Sequence, residues 1–133
     1  MVEFLSDAWI AQIDAAARAA EELRADPPFS VGTLVHGADG DAGYQVRFDV
    51  DGASITGLGD GVPDVVLVTD PATAWALHQG AVRAQDAFAR GALKLRGRPE
   101  LLAAHADLLA TLERALAPAR ASTTPPDGVS HAR

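Results

Sequence analysis

Residues 63–100, PDVVLVTDPATAWALHQGAVRAQDAFARGALKLRGRPE, decide the fold of this chain. The segment Asp64–Thr69 carries four consecutive apolar residues, Val65 to Val68, too many for a strand with one wet face. Asp70 then supplies a capping oxygen, and Pro71 stands at the first helical position, where its missing N–H costs nothing. The pattern predicts a helix over Pro71–Gln79 that stops at Gly80, and a second over Arg83–Arg90 that stops at Gly91. Both glycines suit left-handed C-terminal caps. Ala92–Arg96 alternates as a strand, with Leu93 and Leu95 on one face and Lys94 and Arg96 on the other. The stretch arranges two short apolar helices against a sheet and shows no constellation of reactive groups.

Upstream, Ser6 caps a helix predicted to run to about Ala25, with an apolar stripe of Trp9, Ile13, Ala16, Ala20 and Leu23. Asp26-Pro27-Pro28 ends it, and Val31–Gly37 reads as a strand. In the next strand Tyr44, Val46, Phe48 and Val50 face one way and Gln45, Arg47 and Asp49 the other. Asp51-Gly52 is a hairpin signal, and Ala53–Leu58 is the returning strand. Downstream, Pro99-Glu100 starts a last helix whose stripe is Leu101, Leu102, His105, Leu108, Leu109, Leu112 and Leu116, with Pro118 as its expected end. The remainder, ARASTTPPDGVSHAR, has little to bury and reads as a disordered tail. The chain is therefore expected to hold one domain over residues 1–118 and a tail over 119–133. Strands gather in the first half and helices in the second, an α+β layout: a mostly antiparallel five-stranded sheet with helices covering one face.

Length and composition agree with a single core, since 133 residues bury roughly two-thirds of their unfolded surface. The chain has no cysteine, so it forms no disulfide, thiolate nucleophile or cysteine zinc site. Its net charge of -7 argues against nucleic acid and against strong docking to anionic membrane surfaces. No apolar run reaches the length of a membrane span, and Glu3 and Asp7 in MVEFLSDAWIAQ are unlike a signal peptide. A cytoplasmic protein without stable membrane insertion is the expectation.

The run from Thr69-Asp70 through the helix closing at Gly80, the Ala84-Gln85-Asp86-Ala87-Phe88 segment, Gly91, the Leu93-Lys94-Leu95 strand and Gly97 resembles the sterol carrier protein type 2 family of small lipid-binding domains. Several features recur at matching separations over about forty residues. The first sixty residues fit only through the order of predicted elements. The resemblance implies an apolar tunnel between the sheet and its helices, with Gln85 beside it, where an amide could hydrogen-bond the polar end of a lipid. On its own residues, Gln85 reads equally as a solvated side chain.

Other candidate sites are weaker. His36, His78, His105 and His131 lack metal-ligand spacing; His105, on the last helix's apolar stripe, reads as a core-edge ring or a ligand contact. Asp39, Asp41, Asp60 and Asp64 fall in glycine-bearing loops as turn formers. No serine lies in a nucleophile-elbow context. Trp75, Leu77, Phe88, Leu93, Leu95, Leu102 and Leu109 are either plain core or, as the resemblance implies, in part tunnel lining. The expected ligand-binding set is therefore Trp75, Gln85, Phe88, Leu93, Leu95, Leu102, His105 and Leu109, without metal, cofactor or catalytic residue. The expected function is non-covalent binding, with transfer as its extension, of a fatty acid, acyl-CoA, sterol or polyketide-like ligand. The competing readings are a cyclase, isomerase or hydrolase using the same cavity through His105, Tyr44 or Asp64, and a protein-interaction module.

Overall fold

The computed structural model describes residues 2–37, 40–59, 61–121 and 123–124. In chain order the elements are β1 (Val2–Glu3), α1 (Asp7–Ala19), β2 (Phe29–Gly37), β3 (Gly40–Asp49), β4 (Gly52–Gly57), β5 (Val65–Thr69), α2 (Pro71–His78), α3 (Ala84–Ala89), β6 (Leu93–Gly97), α4 (Glu100–Ala104), α5 (Ala106–Ala121) and β7 (Thr123–Thr124). The main sheet runs β4-β3-β2-β5-β6 and is mostly antiparallel. Its one parallel pairing joins β2 to β5, because the excursion between β4 and β5 crosses behind β3 and β2.

Local chemistry sets the element ends. Ser6 Oγ accepts from Trp9 N at 3.1 Å and Asp70 Oδ1 from Thr73 N at 2.8 Å, so both helices start on side-chain caps. Gly80 and Gly91 hold φ of 75° and 77°, and each closes a Schellman motif. Ala81 N donates to Ala76 O and Gly80 N to Leu77 O after α2; Ala92 N donates to Ala87 O and Gly91 N to Phe88 O after α3.

Register decides the inward face. Val46 lies opposite Val31 and Ile55, Val31 opposite Val65, and Leu67 opposite Leu95. With side chains alternating, Phe29, Val31, Val35, Val46, Phe48, Ile55, Val65 and Leu93 all point to the helix layer, and all are buried. Helix α1 covers β4, α2 covers β2, α3 packs on β6, and α5 packs on α1. Of β5, Val65 is buried on this face and Val68 on the opposite one, as its continuous apolar run requires. On that opposite face a Cβ at Gly32 would meet Pro63, and one at Gly43 would meet Leu58, so the loop after β4 lies against the sheet there.

Four local expectations are corrected. Helix α1 ends at Ala19, not near Ala25; Ala25 N instead donates to Asp49 O at 2.8 Å, which draws the chain to the β3–β4 hairpin while Leu23 stays buried. Val50 is 57% exposed because it stands in the two-residue loop between Asp49 and Gly52. The last helix breaks at His105, where φ -117° and ψ 30° interrupt α4 from α5. Helix α5 then passes through Pro118 to Ala121. Arg114, whose carbonyl loses its helical partner at Pro118, is an exposed residue. The tail therefore does not begin at residue 119. Ala119 and Thr123 are buried, Thr123 Oγ1 donates to Ala119 O at 2.7 Å, and β7 pairs in parallel with β1. The rest of the expected tail, residues 125–133 with His131, lies outside the described residues, as do Asp39 and Asp60.

Candidate functional site

Between the sheet and helices α1, α2 and α5 lies a cage of aromatic rings with polar groups inside it. Trp9 comes from the inward stripe of α1 and Tyr44 from the helix-side face of β3, their rings edge to face at 5.1 Å. Trp75 and His78, three residues apart on α2 and so on one side of it, stack at 5.4 Å. Phe4, in the turn before α1, touches Trp9 at 4.9 Å, Trp75 at 5.4 Å and His78 at 4.8 Å.

The polar atoms of this cage are unusual. Trp9 Nε1 and His78 Nε2 are both buried and have no hydrogen-bond partner among the described residues. Burial, with a smaller contribution from the charge of Arg120, lowers the His78 pKa to about 4, so the imidazole is neutral at pH 7. Burial raises the Tyr44 pKa, so its phenol keeps its proton; its side chain is hydrogen-bonded to that of Thr33, directly opposite on β2. Arg120, on the last turn of α5, is partly buried and paired with Glu113; burial lowers its pKa as well. A bonded phenol, a neutral imidazole, an indole N–H and a nearby guanidinium thus gather in one aromatic cluster, where two of the polar atoms have no partner among the described residues.

The structure brings together part of the sequence-derived set. Trp75 is in the cage. Leu93 is buried, Leu95 pairs with Leu67 on the inward face, and Leu102 and Leu109 are half-buried against the core. His105 belongs to a second aromatic group, stacked on Phe29 at 4.0 Å, with Phe29 in turn stacked on Phe48 at 4.8 Å. Tyr44 and Phe48 are four residues apart on β3, so the two groups sit roughly 13 Å apart along the strand. Gln85 and Phe88 are not interior. Helix α3 has six residues and buries Ala87; one position on, a helix has turned by about 100°, which leaves Phe88 54% exposed and Gln85 at the surface. Asp64 is engaged elsewhere: Ser30 N donates to its Oδ2 at 2.8 Å and its own N–H donates to Ser30 Oγ at 3.1 Å, clamping β2 to β5.

Phe4, Trp9, His78 and Arg120 were not among the expected ligand-binding residues, and Tyr44 entered only the competing enzyme reading. The inward stripe of α1 and the alternation of β3 already placed Trp9 and Tyr44 on facing surfaces, and the Trp75–His78 spacing placed the imidazole beside them. Arg120 carried no signal, since it fell in the expected tail. Two surface grooves flank this architecture. One, about 380 Å³, is lined by Ala81, Val82, Asp86, Ala89 and Arg90. The other, about 480 Å³, lies between residues 24–26 and 103–108 and includes His105.

No family model and no curated protein matches the sequence. Solved structures do. A sterol carrier protein 2 superposes with a TM-score of 0.67 at 20% identity, covering 89% of this chain and 98% of its own. The fold is that of sterol carrier protein 2. The same sterol carrier fold appears in a possible sterol carrier protein from Thermus thermophilus, with a TM-score of 0.61, 21% identity and coverage of 96% and 94%. It appears again in the palmitated sterol carrier protein 2-like 2 of Aedes aegypti, with a TM-score of 0.52, 20% identity and coverage of 84% and 93%. No described helix is long and apolar enough to cross a membrane.

Proposed function

We propose that this chain is a non-covalent lipid-binding protein that holds an apolar chain or polycycle between its helix layer and its sheet. The observation that carries the reading is the pair of buried, unpartnered nitrogens, Trp9 Nε1 and His78 Nε2, inside an aromatic enclosure. Each such group left unpaired costs roughly 1–3 kcal/mol. A ligand whose polar end offers an oxygen recovers that cost, while its apolar body gains roughly 25 cal/mol per Å² removed from water. Trp75, Leu95, Leu102, His105 and Leu109 form the apolar wall in this proposal, and Gln85 and Phe88 frame the entrance beside the groove at α3. The Aedes aegypti protein supports the reading, as a palmitated protein of the same fold.

The reading assigns no bond-making step. Asp64 is committed to Ser30, His105 is stacked on Phe29, and Tyr44 keeps its proton. Fatty acids, acyl-CoA and polyketide-like products are the proposed ligands ahead of sterols, in a cytoplasmic setting. Native mass spectrometry of freshly purified protein tests the proposal: the expected species is heavier than the polypeptide by a lipid mass that organic extraction removes. Bare polypeptide in both samples, together with no displaceable binding of a fluorescent fatty acid, refutes it. Leu102→Trp, which adds bulk where α4 packs against the core, is expected to weaken that binding with little change in melting temperature.

A further inference from the structure

The main sheet has two edges, β4 and β6, and they are treated differently. On β4 the outward N–H of Ile55 donates to Asp14 Oδ1 of helix α1, which packs on that strand. On β6 the antiparallel register with β5, together with Arg98 N donating to Asp64 O at 2.8 Å, turns the backbone groups of Lys94 and Arg96 toward β5. The N–H and C=O groups of Leu93 and Leu95 therefore point away from the sheet, and none of them has a hydrogen-bond partner among the described residues. The side chains of β6 alternate as well. Leu93 and Leu95 lie on the helix side, with Leu95 half-buried opposite Leu67. Lys94 and Arg96 are exposed on the other face, opposite Val68 and Val66 of β5. Neither cation has a carboxylate partner among the described residues.

An open edge strand is a template for a further strand. A second copy of this chain is selected against. Antiparallel pairing of two β6 strands about Leu95 would set Lys94 of each copy directly opposite Arg96 of the other, and like charges in such pairs repel. The same two cations favour a strand with carboxylates at alternate positions, because specificity comes from what a charge rejects as well as what it attracts. We propose that β6 is a docking strand for an extended segment of another protein in which Asp or Glu alternates with apolar residues. The backbone of that segment completes the hydrogen bonds of Leu93 and Leu95. Its acids face Lys94 and Arg96, and its apolar side chains extend the Leu67–Leu95 row on the helix side. This inference is independent of what occupies the interior, since it uses only the edge of the sheet.

Nuclear magnetic resonance titration of the isotope-labelled full chain with the blocked peptide Glu-Val-Glu-Val-Glu tests it. The Leu93 and Leu95 amides are expected to shift and to gain protection from hydrogen exchange as peptide is added, while that of Ile55, already bonded to Asp14, stays unchanged. The peptide Lys-Val-Lys-Val-Lys should not bind. Nor should the acidic peptide N-methylated at both valines, which keeps its charge and loses the N–H groups that meet β6. Lys94→Gln and Arg96→Gln are each expected to weaken binding of the acidic peptide about threefold. Reversing both, Lys94→Glu with Arg96→Glu, should exchange the preference for the acidic peptide for the basic one at an unchanged melting temperature. No shift at Leu95, equal binding of the basic or the N-methylated peptide, or an unexchanged preference in a double variant that melts like the wild type would each overturn the proposal. The peptide comparisons decide the question even where the double variant fails to fold. Leu95 shifts that grow with protein concentration in the absence of peptide would overturn it in favour of a second copy.

Discussion

Burial of His78 as a neutral ring makes the protein acid-sensitive in a defined window. An unfolded histidine titrates near 6.5, whereas His78 in the fold titrates at about 4. Below 6.5 the unfolded chain therefore takes up a proton that the folded chain refuses, so stability falls as pH drops, and the loss is complete once pH passes below about 4. Taken at face value, these two values cost about 2 kcal/mol at pH 5. The ring is only half-buried, and solvent screening reduces this to about 1 kcal/mol. For a domain of this size that is a drop of about 3–6 °C in melting temperature between pH 7 and pH 5. Thermal melts followed by circular dichroism should show it in the wild type. His78→Phe keeps a ring against Phe4 and Trp75 and removes the titration, so its melting temperature should fall less over the same interval. The difference between the two proteins isolates the imidazole from every carboxylate. Parallel pH profiles for wild type and His78→Phe would show that the ring titrates as freely in the fold as in water, and the enclosed polar site would fall with it.

Three further expectations concern the scaffold. Truncation after Pro118 removes buried Ala119 and Thr123 and unpairs β7 from β1; urea denaturation should show a loss of at least about 2 kcal/mol, and an unchanged midpoint would contradict the role given to these residues. Phe48→Ala, at a fully buried ring stacked on Phe29, should cost about 3–5 kcal/mol against under about 0.5 for Arg47→Ala, and similar values for both would mean the sheet register is wrong. Asp14 Oδ1 accepts from Ile55 N at 2.7 Å, satisfying an outward N–H of edge strand β4; Asp14→Ala should cost about 1–3 kcal/mol in the same assay, and a neutral result would mean water replaces the carboxylate freely.

The decisive stretch was legible because its signals are local. Asp70-Pro71, Gly80 and Gly91 act on the backbone within a turn, and the structure realises all of them. Alternation in β3 and β6 likewise needs only one strand to be read. What escaped depends on partners distant in sequence. Two-residue strands such as β1 and β7 carry no periodicity, and the pairing of Val2 with Thr123 is visible only in three dimensions. Pro118 marked an expected helix end by its chemistry, but tertiary packing of Leu116 and Ala119 carries the helix past it. Of the site, Trp75 was legible as an inward aromatic. Its association with His78, Trp9 and Arg120 required knowing how α1, α2 and α5 converge. Phe88 shows the converse failure: a large apolar side chain reads as interior, and only the shortness of α3 turns it outward.

The clasp between β1 and β7 sets an order of events during folding. Bringing Val2 next to Thr123 closes a loop of about 120 residues, which in an unfolded chain costs roughly 4 kcal/mol of entropy. Two residue pairs cannot offset that. The clasp can therefore form only after the sheet and α5 have already brought β1 and β7 together. On the ribosome, β1 waits without this partner until residue 124 has emerged. Phe4, which anchors the aromatic cage from the segment just after β1, is then held in place last, so the cage becomes complete only when synthesis has passed the far end of α5.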